Sequence, residues 1–131
     1  MKFYRIAQHR IAQQEVPTIQ KEELEDRTRY YLVDSKGNKV GKLVVQGNLH
    51  PQYYQITGFK IDKQYQGQHL GTKLMNEFLN DSRFKDRPAL VFPLPYEGES
   101  QDEMANLRDM YKHFGFHEAP NWGNYLLLER T

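Results

Sequence analysis

Between Ile61 and Met75 the chain reads Ile-Asp-Lys-Gln-Tyr-Gln-Gly-Gln-His-Leu-Gly-Thr-Lys-Leu-Met. This is the end of an apolar strand, a glycine-containing loop and the start of a helix. The first amides of a helix have no partner within it and lie at the positive end of its dipole. The amides of residues 67 to 72 are therefore suited to surround an anion such as a diphosphate. Gly67 and Gly71 carry no side chain to hold a phosphate off the backbone. Gln66 or Gln68 can add a neutral donor and Lys73 a charge. The same spacing fits a plain strand-to-helix turn, with one glycine for the turn and one for close helix packing. Glycine spacing alone favours that plainer reading. Other chemistries are poorly served. There is no cysteine, which excludes disulfides, thiol nucleophiles and thiolate metal sites. Of the histidines His9, His50, His69, His113 and His117, only the last two are spaced like metal ligands on a helix, and Gly115 interrupts that helix. Ser35, Ser82 and Ser100 lack the context of a nucleophile.

The loop needs a strand before it and a helix behind it. Leu70, Leu74 and Phe78 form one row with Met75 and Leu79 beside it, which predicts an amphipathic helix from Leu70 to about Asn80. Upstream, Tyr53 to Asp62 is strand-like, but its apolar phase switches across Thr57-Gly58. Ile56 lies on one face, Phe59 and Ile61 on the other. Strict period two forbids such a switch without an extra residue, so a bulge at Thr57-Gly58 is one reading; a strand buried on both faces is the other. Tyr30 to Val33 and Val40 to Val45 read as strands joined by the turn Asp34-Ser35-Lys36-Gly37-Asn38. Ala89 to Phe92 reads as a buried strand ended by Pro93 and Pro95. Ser100-Gln101-Asp102-Glu103 is a capping box. The helix behind it carries Met104, Leu107, Tyr111 and Phe114 on one stripe, with Gly115 and Phe116 closing it. Tyr125 to Leu128 is a closing strand, Phe3 to Ile6 a short first one, and Lys21 to Asp26 suits a short solvated helix. Trp122 could cover a ligand site or fill core, and core is the favoured reading. The resulting order, β, α, β-β-β, α, β, α, β, is mixed α/β with one parallel crossover.

Composition bounds the class. The chain has 131 residues, a net charge of +1 and a mean hydropathy of −0.85. This length suits one domain, residues 1–131, with one core. Nine tyrosines, seven phenylalanines and a tryptophan argue against disorder. No apolar run approaches the ~20 residues of a membrane span. The first residues, Met1 to Arg5, lack a secretory apolar stretch. The expectation is a soluble cytoplasmic domain with no membrane partner. Balanced charge argues against nucleic acid as partner.

Two motifs give a family resemblance. Gln66-Gly67-Gln68-His69-Leu70-Gly71 resembles motif A of the GNAT superfamily of N-acetyltransferases, Arg/Gln-x-x-Gly-x-Gly/Ala. Met110-Tyr111-Lys112-His113-Phe114-Gly115-Phe116 resembles the family's Leu-Tyr-x-x-x-Gly-Phe. The phase break at Thr57-Gly58 matches the bulge in the family's fourth strand, and the resemblance runs from about Leu32 to Phe116. Three departures stand out. His69 replaces the first motif glycine. Ala105 stands where many members carry asparagine. Gln55 occupies the position where some protein-directed members place a glutamate base, and glutamine cannot accept a proton.

The resemblance implies a mixed, mostly antiparallel sheet with a splayed parallel strand pair, flanked by helices. It implies acetyl-CoA as acyl donor and direct transfer to an amine in a ternary complex. Pantetheine would pair with the edge formed by Phe59, Lys60 and Ile61. The diphosphate would lie on Gln66, Gly67, Gln68, His69, Leu70, Gly71 and Thr72. An amide near Phe59 would stabilise the oxyanion, and Tyr111 would protonate the departing thiolate. Tyr111 also lies on the apolar stripe, so a core role fits it equally. A lysine-like amine of pKa about 10.4 must lose a proton before attack. Glu97, Asp62 or a water chain could take it. Glu97 is also explained as a surface loop acid. Acidic residues at 97, 99, 102 and 103 mildly favour a cationic acceptor, although helix capping and the helix dipole already explain Asp102 and Glu103. The sequence carries no interface signature, although similar proteins often form homodimers. A non-catalytic CoA-binding or regulatory protein on the same fold is the alternative that His69 and Gln55 motivate.

Overall fold

The computed structural model describes residues 16–93 and 101–130, with side chains from 107 onward in the second segment. The expected strand at Phe3–Ile6, the loop holding Glu97 and the cap at Ser100 lie outside the described residues. In chain order the elements are β1 (Thr18–Glu23), β2 (Arg27–Val33), β3 (Lys39–Gln46), β4 (Tyr54–Ile61), α1 (Leu70–Asn80), β5 (Ala89–Val91), α2 (Gln101–His113), β6 (His117–Glu118) and β7 (Leu126–Leu128). The strands form one sheet in the order β1-β2-β3-β4-β5-β7-β6. Among the described strands only β4 and β5 run parallel. This is the mixed α/β sheet with one parallel pair that the motifs imply.

The β2–β3 turn forms for the expected reason. Asp34 Oδ1 accepts from the amides of Lys36 and Asn38 at 3.0 and 2.8 Å, and Gly37 takes φ +84°. The bulge in β4 is equally direct. Val44 pairs with Gly58 and Val45 with Ile56, leaving Thr57 unmatched. One extra residue turns Phe59 and Ile61 onto the face that Ile56 and Tyr54 already occupy, and all four join the core. Helix α1 covers that face with Leu70, Leu74, Met75 and Phe78, each buried. Removing a side chain of this size from water contributes about 1.5–3 kcal/mol. Helix α2 ends as Gly115 and Phe116 foretell. Gly115 has φ +103°, its amide donates to Lys112 O at 3.0 Å, and the Phe116 amide donates to Tyr111 O at 3.1 Å.

Two expectations fail. Lys21 to Asp26 is not a helix: its first half belongs to strand β1, paired from Thr18↔Val33 to Glu23↔Thr28. Local helix preference in a charged segment is weak, and a ladder with β2 plus the cross-strand ion pair Glu22–Arg29 at 2.7 Å outweighs it. The charged outer face of β1 also discourages further pairing at this sheet edge. Trp122 is half-buried outside the main core cluster, in an aromatic group described below. The two-residue strand β6 was not anticipated. It exists because His117 and Glu118 lie opposite Leu127 and Leu126 of β7.

Candidate functional site

The bulge opens the sheet. Strands β4 and β5 pair at Tyr54↔Ala89, Gln55↔Leu90 and Ile56↔Val91, and pairing stops there. From Thr57 to Ile61 the β5 side of β4 has no strand alongside it among the described residues. The fork opens into a cleft of about 430 Å³. One wall is Gln55 to Phe59, and the other is Val91 and Phe92. Leu107 and Tyr111 of α2 and Tyr125 ahead of β7 complete it. Tyr111 is only 4 % exposed. Its ring meets Phe59 at 6.0 Å and Phe116 at 5.4 Å between centroids. Tyr111 thus packs its ring in the core and also lines the cleft.

The loop leaving β4 carries a run of amides without backbone partners among the described residues. A single 3₁₀ turn over Lys63–Tyr65 consumes the amides of Tyr65 and Gln66, which donate to Asp62 O and Lys63 O at 2.8 and 3.2 Å. The next amide with a backbone partner in the loop or first turn of α1 is that of Lys73, which donates to His69 O at 3.2 Å. The amides of residues 67 to 72 between them take no backbone partner among the described residues. Gly67 at φ +81° turns the chain, and a Cβ there would meet nothing within 4 Å. His69 also adopts the left-handed conformation, φ 61° and ψ 21°. The loop therefore keeps a shape that glycine would accept freely, despite the imidazole. His69 is exposed and makes no cap to the helix, so its ring does not plug the helix mouth through a hydrogen bond.

Other predicted residues divide by geometry. Gln66 Nε2 donates to Ile61 O at 2.9 Å, bracing the loop against the end of β4. Leu70 is buried, so only its amide can face a ligand. Gly71 has a packing reason to be glycine: a Cβ there would lie 3.2 Å from Phe59 Cζ. Gln68, Thr72 and Lys60 are exposed, and Lys73 Nζ donates to Pro17 O at 3.3 Å. Asp62 is not brought to the cleft; it borders a separate shallow hollow with Tyr31, Lys42 and Lys60. Glu97 lies outside the described residues.

An aromatic group missed in the sequence adjoins the cleft. His50 and Tyr53 meet Trp122 edge-on at 5.0 and 5.6 Å, Trp122 meets Tyr125 at 5.8 Å, and Tyr125 meets Phe92 at 5.1 Å. These residues come from three loops and share no period, so only the fold unites them. Far from the cleft, Asp81 binds Lys21 Nζ at 2.6 Å and the buried Tyr30 hydroxyl at 2.7 Å. Burial pushes the Asp81 carboxyl up, but hydrogen bonds from Lys21 and Tyr30 outweigh it and hold it below the usual carboxylate value. Burial, then the bond to Asp81, raises the Tyr30 phenol.

Known proteins carry the same architecture. The structure is similar to a GNAT-family acetyltransferase of Staphylococcus aureus, with a TM-score of 0.62, 13 % identity and coverage of 80 % of this chain and 68 % of that one. It is similar to the Escherichia coli GNAT family N-acetyltransferase YhbS, solved in complex with CoA, with a TM-score of 0.62, 14 % identity and coverage of 88 % and 82 %. A GNAT family acetyltransferase of Elizabethkingia anophelis with acetyl-CoA bound matches at a TM-score of 0.59, 12 % identity and coverage of 86 % and 97 %. At such identities these likenesses speak for the fold alone. No curated protein sequence matches the chain. Residues 26–118, however, match the acetyltransferase (GNAT) domain model. That span runs from the start of β2 through the fork, the loop and α2 to β6, and on it the chain belongs to the GNAT acetyltransferase family.

Proposed function

We propose that the protein transfers an acetyl group from acetyl-CoA to an amine by direct attack within a ternary complex. The observation that carries this reading is a continuity. The edge of β4 that has no strand alongside it among the described residues begins at the bulge and leads, in one uninterrupted run of chain, to amides at the start of α1 that take no backbone partner among those residues. An extended pantetheine can pair with such an edge as a strand would, and a diphosphate suits the amides beyond it.

In this reading the thioester carbonyl sits at the bulge, where a β4 amide near Phe59 stabilises the oxyanion formed by amine attack. The tetrahedral intermediate collapses by breaking the carbon–sulfur bond. Tyr111, which lines the cleft opposite Phe59, gives its proton to the departing thiolate. The amine's surplus proton passes to Glu97 or to water. Direct transfer is preferred to an acyl-enzyme because the chain has no cysteine and its cleft-lining side chains include no activated nucleophile among the described residues.

Thiol release from acetyl-CoA, followed over a panel of primary amines, tests the reading. Amine-dependent release is expected. Tyr111→Phe should lower kcat by about a hundredfold while the acetyl-CoA Kd stays within about twofold. Absence of acetyl-CoA binding would overturn the transferase reading, and unchanged turnover in the variant would remove Tyr111 from the chemistry.

A further inference from the structure

Gln55 lines the cleft two residues before the bulge, and its carboxamide is not free to turn. Its Oε1 lies 2.9 Å from His50 Nε2. An amide oxygen only accepts, so the imidazole must carry its hydrogen on Nε2 and donate it. His50 is held in turn. Its ring stands edge-on to Trp122 at 5.0 Å and to Tyr53 at 6.4 Å. Arg87 Nη1, from the segment ahead of β5, donates to the carbonyls of Gly47, His50 and Pro51 at 3.2, 3.4 and 3.5 Å. The loop before β4 is thus pinned from the far side of the fork, and the imidazole sits behind Gln55. The His50 bond orients the carboxamide through one lone pair of Oε1, and the NH₂, which takes no partner among the described residues, is the donor that Gln55 can offer a ligand in the cleft it lines.

We propose that His50 is a positioning residue that fixes the Gln55 carboxamide, so that this end of the cleft takes amines bearing a hydrogen-bond-accepting carbonyl near the amino nitrogen. The inference deepens the acetyl-transfer reading and rests on it for the identity of the nucleophile. It assigns Gln55 a recognition task at a strand position where a glutamate would instead take a proton. A plain alkylamine offers Gln55 nothing to bind, and the NH₂ then loses its water without replacement.

The test uses the full-length protein labelled with ¹⁵N and saturated with CoA, titrated with 4-aminobutanamide or n-pentylamine. The Gln55 NH₂ resonances are identified by their loss in Gln55→Met. They should shift with the amide-bearing amine and not with pentylamine, and the former should bind about three- to tenfold tighter, as one neutral hydrogen bond allows. His50→Phe, which keeps a ring against Trp122, should abolish that preference, and His50→Gln, which can still donate to Oε1, should restore it. Acetyl-CoA affinity, measured by calorimetry, should not change in either variant. Equal binding of the two amines, an unresponsive Gln55 NH₂, or a preference that survives His50→Phe would overturn the proposal. Should His50→Phe not fold, His50→Met, which likewise cannot donate to Oε1, takes its place, and a preference that survives it overturns the proposal. The titration is repeated without CoA, and failure of acetyl-CoA to bind in calorimetry while Gln55 still discriminates there would strike the transferase reading and leave this one standing.

Discussion

Gly71→Ala probes how the helix start is fitted to the cleft. Alanine is better than glycine within a helix by about 0.8–1.0 kcal/mol. Here its Cβ would stand 3.2 Å from Phe59 Cζ and 3.5 Å from Cε1, with Ile61 Cγ1 at 3.9 Å. The first distance is tighter than ordinary contact, so the ring must retreat by a few tenths of an ångström. Phe59 rests against Tyr111 at 6.0 Å and has limited room to do so. Overpacking costs about 1–3 kcal/mol, and one tight contact places Gly71→Ala near the low end. Propensity gain and crowding should nearly cancel, for a net loss of about 0–1 kcal/mol. In a Phe59→Leu background the crowding disappears and the same substitution should stabilise by about 0.8–1.0 kcal/mol. Urea unfolding of the four proteins gives the coupling, expected at about 1–2 kcal/mol. A coupling under about 0.3 kcal/mol, the usual limit of additivity, would refute the claim that Gly71 is glycine because of Phe59.

Two further predictions concern the loop and the distal carboxylate. His69→Gly exchanges a strained left-handed residue for one that accepts φ 61°. Relief of about 1–2 kcal/mol less the added chain entropy of about 0.5–1 should stabilise the fold by about 0–1.5 kcal/mol, with acetyl-CoA affinity retained; a tenfold weaker Kd would instead make the imidazole a ligand contact. Asp81→Ala removes the acceptor of Lys21, Tyr30 and the Arg83 amide and should cost about 2–4 kcal/mol in urea unfolding. Because the Asp81 carboxyl is held below its unfolded value of 3.8, its contribution is complete above that value and is lost as pH falls through the lower folded one. Asp81→Asn should therefore flatten the acid limb of the stability profile below pH 3.8, and an unchanged limb would assign it to other carboxylates.

What could be read from the sequence follows from where the determining forces act. Helix α1, the Asp34–Asn38 turn and the Gly115 closure rest on neighbours within a few residues, so period and residue type announce them. The bulge was legible as one of two readings, because an odd insertion leaves a phase error between Ile56 and Phe59 that a strand buried on both faces would also show; the β3 register decides for the bulge. Strand β1 was misread because its form is dictated by β2, to which it is a charged edge with only Ile19 partly covered. Strand β6 is two residues long and exists only through β7. Trp122, His50 and Phe92 meet across three loops, and no spacing along the chain encodes that meeting. Gln55 stood out only through the family resemblance, as the place of a glutamate base; what holds its oxygen is visible only with the loop before β4 folded against it.

The most direct test of the account is a crystal structure with acetyl-CoA bound. The account places the pantetheine along Thr57–Ile61 in the fork, the thioester facing Tyr111, and the diphosphate on the amides of residues 67 to 72. Acetyl-CoA bound elsewhere, or strands β4 and β5 pairing beyond Ile56 and Val91 when it binds, would contradict it.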